Sequence, residues 1–316
     1  MMKIICITGT RADYGIYRPV LTEMHRDPEF DLKLIVTGMH LYSEYGQTID
    51  EVYKDGFDII GTPSILFKGD SMLAMSQSLG MAVLYFSDLF QFHKPCFVLL
   101  LGDRGEMLAA AIAAHYLNLG IIHLHGGEVS GSADDAVRHC ISKLAHLHFV
   151  SCEKAKELLI RFGEEAWRIV PIGSLRKADI KKIEKKDAKE RSQYTKTFGL
   201  EGPGKKILFV MHPDSKETVS FRKQIEETLA ALEPFEHARF LFIGSNSDAG
   251  GELFNKHIMR FVAGKRFAQY FPSVPSGHYL FLLSEVDLLV GNSSSGIIEA
   301  PFFKLPVVNI GARQKN

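Results

Sequence analysis

This sequence has no surplus of either charge sign, no CxxC pair, no long apolar run and no internal repeat or low-complexity segment. Its 37 basic residues cancel its 37 acidic ones. That balance removes the electrostatic footprint of a general DNA or RNA binder, because phosphate-driven affinity needs Lys and Arg in excess on one face. The four cysteines, Cys6, Cys96, Cys140 and Cys152, stand in apolar or helical contexts. They read as buried thiols in a reducing compartment, with neither a disulfide framework nor a zinc knuckle. The apolar run near the start covers only residues 4–7 before it breaks into Thr8-Gly9-Thr10, which is a buried strand and not a signal segment. No run approaches the ~20 apolar residues of a membrane span. A soluble, cytoplasmic protein with neither nucleic acid nor membrane as partner is expected.

What is present is material for cores. The chain has 316 residues, 46% of them apolar, enough for about two domains at roughly 100–200 residues each. Short apolar runs recur, each ending in small polar residues and followed by helical periodicity. Residues 3–7 precede Thr8-Gly9-Thr10-Arg11, residues 31–36 precede Thr37-Gly38-Met39-His40, and residues 96–101 precede Gly102-Asp103-Arg104. Residues 120–124 precede His125-Gly126-Gly127-Glu128, and residues 146–150 precede Ser151. Strands bare of polar residues that alternate with helices indicate a parallel sheet buried on both faces.

After Pro171-Ile172-Gly173 the composition becomes charged over residues 176–191, and Asp179, Glu184, Asp187 and Glu190 interrupt its basic residues. This stretch reads as the solvated first helix and linker of a second domain. A second series follows: residues 206–211 before His212-Pro213, 239–243 before Gly244-Ser245-Asn246, 286–290 before Gly291-Asn292-Ser293-Ser294-Ser295-Gly296, and 306–310 before Gly311. The expectation is an α/β chain of two Rossmann-like, doubly wound domains, 1–172 and 173–316, facing across a cleft.

Open α/β sheets bind ligands just outside the carboxyl ends of their strands. Gly9-Thr10-Arg11 lacks the later glycines of a dinucleotide fingerprint and the Lys-Ser/Thr ending of a P-loop. It suits a single phosphate, a base edge or a capped helix start. Gly291–Gly296 puts three serines, backbone N–H groups and an expected helix N-terminus at one point, which suits a diphosphate, with Glu299 about one turn on, in reach of a ribose diol. The alternative there is an ordinary Ser-capped helix with a solvated Glu.

Six of the thirteen histidines lie between His115 and His148, but without HExxH no metal site is expected. Carboxylates gather at the same edge as Asp103, Glu128 and Asp134-Asp135. If Asp134 is helical, Arg138 lies four residues on along the same face, so one carboxylate is oriented by a cation while a neighbour titrates upward. Such pairs do general acid and base work; a purely structural ion-pair network is the rival reading.

Taken in order, Gly9-Thr10-Arg11-Ala12-Asp13-Tyr14, Thr37-Gly38-Met39-His40, Gly102-Asp103-Arg104, His123-Leu124-His125-Gly126-Gly127-Glu128, Asp134-Asp135-Ala136-Val137-Arg138-His139, His212-Pro213, Gly291-Asn292-Ser293-Ser294 and Gly311-Ala312-Arg313-Gln314 resemble the UDP-N-acetylglucosamine 2-epimerases. The closest likeness is to the hydrolysing branch of sialic- and legionaminic-type acid synthesis. The resemblance implies a GT-B fold and an anti elimination of UDP across C1–C2 of the sugar. Water then adds to the glycal with inverted configuration at C2. It implies no metal or redox cofactor, and a homo-dimer or homo-tetramer through the first domain. Carried over by position, Asp103 and Asp134 are catalytic carboxylates, and Arg138 and His212 serve the sugar and diphosphate. Arg11, Asn292, Ser293, Ser294 and Glu299 fall in the nucleotide contacts, and Arg313 lies near the phosphates.

Three departures stand out. His125 replaces a Glu of relatives, which leaves the C2 base to His125 itself or to Glu128. Gly173-Ser174-Leu175-Arg176 replaces a Gly-Cys/Ser-Pro turn, and Asp214-Ser215 follows His212-Pro213 where threonines are usual. The sequence also stops at Gln314-Lys315-Asn316, where relatives run on, so a longer chain is expected. The product expected is ManNAc or its 6-deoxy-2,4-diacetamido analogue, from a UDP- or GDP-sugar. The alternatives are a non-hydrolysing epimerase, a GT-B glycosyltransferase and a nucleotide-sugar sensor without activity.

Overall fold

The computed structural model describes residues 1–67, 71–130, 134–215, 217–246 and 248–314; Lys315 and Asn316 lie outside them. The chain divides into two compact units between Leu175 and Arg176, each built on one parallel sheet.

In the first unit the strands are β1 (Met2–Thr8), β2 (Phe30–Val36), β3 (Ile59–Gly61), β4 (Phe97–Leu101), β5 (Gly120–Leu124), β6 (Leu147–Val150) and β7 (Ile169–Pro171). Their order across the sheet is β3-β2-β1-β4-β5-β6-β7. Alternate residues of one strand enter two separate cores. Ile5, Ile7, Val98, Leu100 and Ile121 pack on one side against Phe86 and Phe90. Ile4, Cys6, Leu99, Leu101 and Leu124 pack on the other against Tyr14, Tyr17 and Leu21. That division is why the strands read as unbroken apolar runs, and each buried Ile or Leu contributes ~1.5–3 kcal/mol. The helix Gly105–Tyr116 buries Ala109, Ala110, Ala111, Ala113 and Ala114, side chains small enough to let the long helix Met72–His93 lie close.

The second unit holds β8 (Lys206–Val210), β9 (Arg239–Ile243), β10 (Ala268–Phe271), β11 (Leu288–Gly291) and β12 (Val307–Asn309), in the order β10-β9-β8-β11-β12. Leu208, Val210, Leu241 and Leu289 fill one core, while Ile207, Phe209, Phe240 and Phe242 fill the other.

Strand order reverses between β1 and β4 in the first sheet and between β8 and β11 in the second. The loops that leave these strands are Gly9-Thr10-Arg11, Gly102-Asp103-Arg104, His212-Pro213 and Asn292-Ser293-Ser294. The topology therefore sets the candidate residues at the two switch points, where adjoining loops diverge and open a crevice.

Two expectations need correction. Of the cysteines only Cys6 is buried; Cys96, Cys140 and Cys152 are exposed, because the first precedes β4, the second lies on the helix Asp134–Leu144 and the third caps the helix Glu153–Arg161. The charged stretch after Gly173 is helical and largely exposed, as expected of a first helix of the second unit, but it is not solvated throughout. It forms the helices Lys177–Glu184 and Ala188–Thr197, and Ile180 and Ile183, a turn apart, are buried in the second unit's core. Arg176 at its head is itself only 3% exposed.

Candidate active site

At the first switch point Thr10 caps the helix Arg11–Arg26. Its hydroxyl accepts from the Asp13 N–H while the Asp13 carboxylate accepts from the Thr10 N–H at 2.9 Å. Asp13 also accepts from Gly9 N–H at 3.2 Å, from the Thr10 hydroxyl at 3.0 Å and from the Thr8 hydroxyl. Because Thr8 donates to Asp13, it accepts from His40 Nε2, 3.0 Å away; His40 Nδ1 in turn accepts from Thr48 Oγ1 at 2.7 Å. Burial first, then the charge of Arg11, pushes the His40 imidazole down to about 3, so it stays neutral and keeps this direction of bonding. Burial pushes Asp13 up to about 7, against the pull of the Thr8 hydroxyl. The capped-helix reading of Gly9-Thr10-Arg11 is thus correct, and the cap fixes where Arg11 begins its helix. A Cβ on Gly9 would stand 2.0 Å from Glu106 Oε1, which shows how closely the loop lies against the first turn of the helix Gly105–Tyr116.

Pairing of Leu101 with Leu124 brings the ends of β4 and β5 side by side. Asp103 accepts a hydrogen bond from Arg138 Nη2. Arg138, 6% exposed, donates through Nη1 to Asp135 Oδ1 at 2.8 Å and to the Glu128 carbonyl at 2.7 Å. Asp135 is held by the Ser130 N–H and hydroxyl, each at 2.8 Å. The guanidinium is therefore aimed by Asp135 and Glu128 at Asp103. Burial raises the Asp103 carboxyl above its usual range; Arg138 opposes this and the negative charge of Asp134 adds to it. The pairing expected from the spacing, Asp134 with Arg138, is replaced by Arg138 with Asp135 and Asp103, and the carboxyl oriented by the cation is the same one that burial pushes up. Sequence spacing did not single out Asp135, three residues before Arg138, as the guanidinium's anchor.

His125 leaves β5 with φ +61°, a left-handed backbone uncommon outside glycine and found at functional turns. Its ring is buried, with Nδ1 3.4 Å from Glu128 Oε1. His123 is fully buried and makes two directed bonds: Nε2 donates to the Gly102 carbonyl at 2.8 Å, and Nδ1 accepts from Ser142 Oγ at 3.0 Å. It grips the turn that presents Asp103, a role that spacing gave no sign of. Burial pushes this imidazole down to about 3, so its stabilising effect is complete above the unfolded value near 6.5 and is lost as pH falls toward 3. The stability gap between the wild type and His123→Gln should therefore narrow below pH 6.5 by about 1.4 kcal/mol per pH unit. Urea unfolding at pH 7.5, 6 and 5 measures it, and a constant gap would refute the assignment.

In the second unit, pairing of Val210 with Gly291 sets β8 beside β11. The Asn292 side chain spans the gap: its Oδ1 accepts from His212 N–H and its Nδ2 donates to the His212 carbonyl, both at 2.7 Å. His212 Nδ1 accepts from the Asn246 N–H at 3.2 Å, so the neutral ring carries its proton on Nε2 and can donate there to an anion. Ser293 Oγ accepts from the Ser295 N–H at 3.3 Å and the Ser295 hydroxyl at 3.0 Å. Arg313 Nη1 lies 3.4 Å from the Asn292 carbonyl. The helix expected behind the serines is a single turn, Ser295–Ile298, so its dipole is small and anion binding there would rest on hydroxyls, backbone N–H groups, His212 and Arg313. Glu299 is not solvated; it is buried against Arg176. Among the described residues no group of three or more His, Cys, Asp or Glu side chains converges as a metal site, and no helix is long and apolar enough to cross a membrane.

Two parallel-sheet domains of this kind, with a carboxylate–arginine cluster at one switch point and a serine-rich turn at the other, have the GT-B-like build. Comparison narrows the class: the family described as UDP-N-acetylglucosamine 2-epimerase matches residues 22–316. The chain belongs to this family. It is 41% identical over 314 residues to the hydrolysing UDP-N,N'-diacetylbacillosamine 2-epimerase of Legionella pneumophila, covering 99% of this chain and 81% of that one. To the hydrolysing GDP/UDP-N,N'-diacetylbacillosamine 2-epimerase of Campylobacter jejuni it is 36% identical, with 99% and 81% covered. The crystal structure of a UDP-GlcNAc 2-epimerase from Neisseria meningitidis bound to UDP-GlcNAc superposes with TM-score 0.81 at 18% identity, covering 99% of this chain and 84% of that one.

Proposed function

We propose that this enzyme hydrolyses a UDP-activated 2-acetamido sugar with inversion at C2, releasing UDP and the free 2-epimer. The observation that carries the reading is near-full-length identity of 41% and 36% to relatives named as hydrolysing 2-epimerases. Their names favour the 2,4-diacetamido-2,4,6-trideoxy hexose over N-acetylglucosamine as the sugar; a UDP-N-acetylglucosamine 2-epimerase of Neisseria meningitidis is 34% identical.

The chemistry divides into two steps. Removal of the C2 proton and departure of UDP from C1 leave a glycal. Water oxygen then bonds to C1 as a proton returns to C2 from the other face, so the sum is nucleotide sugar plus water giving sugar plus UDP. The carboxylates Asp103 and Asp134 and the His125–Glu128 pair supply proton acceptors and donors. Arg138 fixes Asp103 in place. His212, through Nε2–H, together with Asn292, Ser293, Ser294 and Arg313, holds the nucleotide and takes up the charge that gathers on the departing diphosphate. A nucleotide-sugar substrate fits a cytoplasmic location. The helix Met72–His93 leaves Met72, Leu73, Leu84 and Phe92 exposed, an apolar face that supports a homo-oligomer.

Incubation of each UDP-sugar in H₂¹⁸O and, separately, in D₂O tests the reading. It expects free sugar with ¹⁸O at C1 and deuterium at C2. Accumulation of a UDP-linked epimer that carries deuterium at C2 but no ¹⁸O overturns it in favour of the non-hydrolysing reaction, and a product without deuterium at C2 favours glycosyl transfer.

A further inference from the structure

Arg176 opens the long segment of the second unit, directly after Leu175 at the end of the first. Its Nε donates to Glu299 Oε1 at 3.0 Å and its Nη1 to Ser276 Oγ at 2.6 Å. Arg176 is 3% exposed and Glu299 5%. Ser276 begins the helix Ser276–Glu285, and one turn along it the Tyr279 hydroxyl meets Ser295 Oγ at 2.5 Å. One helix therefore braces both Arg176 and the serine turn that follows β11. A buried ion pair of this kind is a weak source of net stability, since desolvation offsets most of the attraction. Its better-attested use is to fix a geometry, and the geometry fixed here is that of a carboxylate at the end of the helical turn Ser295–Ile298 that follows β11.

We propose that Arg176 is a positioning residue for nucleotide recognition: it locks one oxygen of Glu299 so that the other is presented to the ribose hydroxyls of the substrate. The proposal rests on the reading of Glu299 as the ribose contact. A glutamate free to rotate would have to be ordered by each ligand, whereas the Arg176 fork, anchored by Ser276, orders it in advance. Loss of the arginine acts through the ribose hydroxyls and leaves His212, Asn292 and Arg313 in place.

The test is the ratio of affinities for UDP and 2′,3′-dideoxy-UDP, measured by isothermal titration calorimetry on the full chain. The wild type should favour UDP by about 10- to 100-fold, as hydrogen bonds to a charged acceptor do. Arg176→Met should bring the ratio to within about threefold of unity with little change for dideoxy-UDP, and Arg176→Lys, which keeps the charge but not the fork, should lower it part of the way. Ser276→Ala, which spares the ion pair and serves if Arg176→Met does not fold, should lower it about threefold. Circular dichroism and the thermal transition report folding, and a structural role alone would shift that transition without moving the ratio. Folded Arg176→Lys and Ser276→Ala variants that keep the wild-type ratio overturn the proposal. Glu299→Gln separates the two levels: if it too keeps the ratio, the ribose reading of Glu299 fails, and if it alone collapses the ratio, only the role of Arg176 fails.

Discussion

Asp103→Asn should reduce turnover about 10³-fold while leaving the dissociation constant for UDP within about threefold, since a positioned acid or base contributes 10²–10⁴ in rate. The substitution is nearly isosteric and leaves an oxygen for Arg138 Nη2, so the turn between β4 and the helix Gly105–Tyr116 stays in place. What goes is the charge and the ability to exchange a proton. Burial and the neighbouring Asp134 hold this carboxyl above its usual range against the pull of Arg138, which makes it a stronger base than an exposed aspartate once it ionises. Arg138 would keep Asp135 and the Glu128 carbonyl as partners, so some stability is lost, and the thermal transition must be read beside the kinetics. Solvent deuterium at C2 should vanish together with UDP release. Turnover within tenfold of wild type would remove Asp103 from the chemistry and leave the cluster a structural ion-pair network.

Gly291→Ala should lower the thermal transition of the second domain by about 10 °C and abolish UDP binding. Gly291 has φ +140°, and a Cβ there would stand 1.9 Å from the Val210 carbonyl oxygen. That oxygen is backbone in the middle of a sheet and accepts from the Asn292 N–H at 3.1 Å, so it cannot swing aside as a side chain would. Forcing β8 from β11 combines overpacking, ~1–3 kcal/mol, with a backbone conformation costing an alanine ~1–2 kcal/mol. A sum of about 3 kcal/mol or more corresponds to the shift given. Differential scanning calorimetry and UDP titration measure the two consequences, and a transition within about 2 °C of wild type would show that the strands part without penalty.

The central strands were legible because burial on both faces leaves nothing but apolar residues in them: β1, β4, β5, β8, β9 and β11 were each marked by a run and its small polar ending. β3, β7 and β10 were not. All three lie at sheet edges and are short, with one or no fully buried residue, and β7 ends in a proline. Edge strands do not have to be apolar on both faces, so composition did not announce these three, although the run at residues 306–310 did mark the fourth edge strand, β12. The same contrast runs through the site. Asp103, Glu128 and Arg138 were readable because charged residues directly after a buried strand need a reason. His40, His123 and Asp13 were not, since their roles are fixed by partners 32, 21 and 5 residues away in sequence. Arg176 looked like the head of a solvated run because its partner, Glu299, is 123 residues distant, a separation across which no local pattern carries information.

The clasp that Asn292 makes on the backbone of His212 has a kinetic consequence for a catalyst that must release UDP at every turnover. Two loops from strands far apart in sequence are tied before any ligand arrives, so, on the proposed reading of them as the nucleotide site, their ordering accompanies folding, where a whole core offsets it, and need not be repeated in each cycle. A pocket that neither collapses when empty nor must assemble when filled lets the leaving group depart without unmaking the site, and the next nucleotide sugar meets the same two loops in the same register.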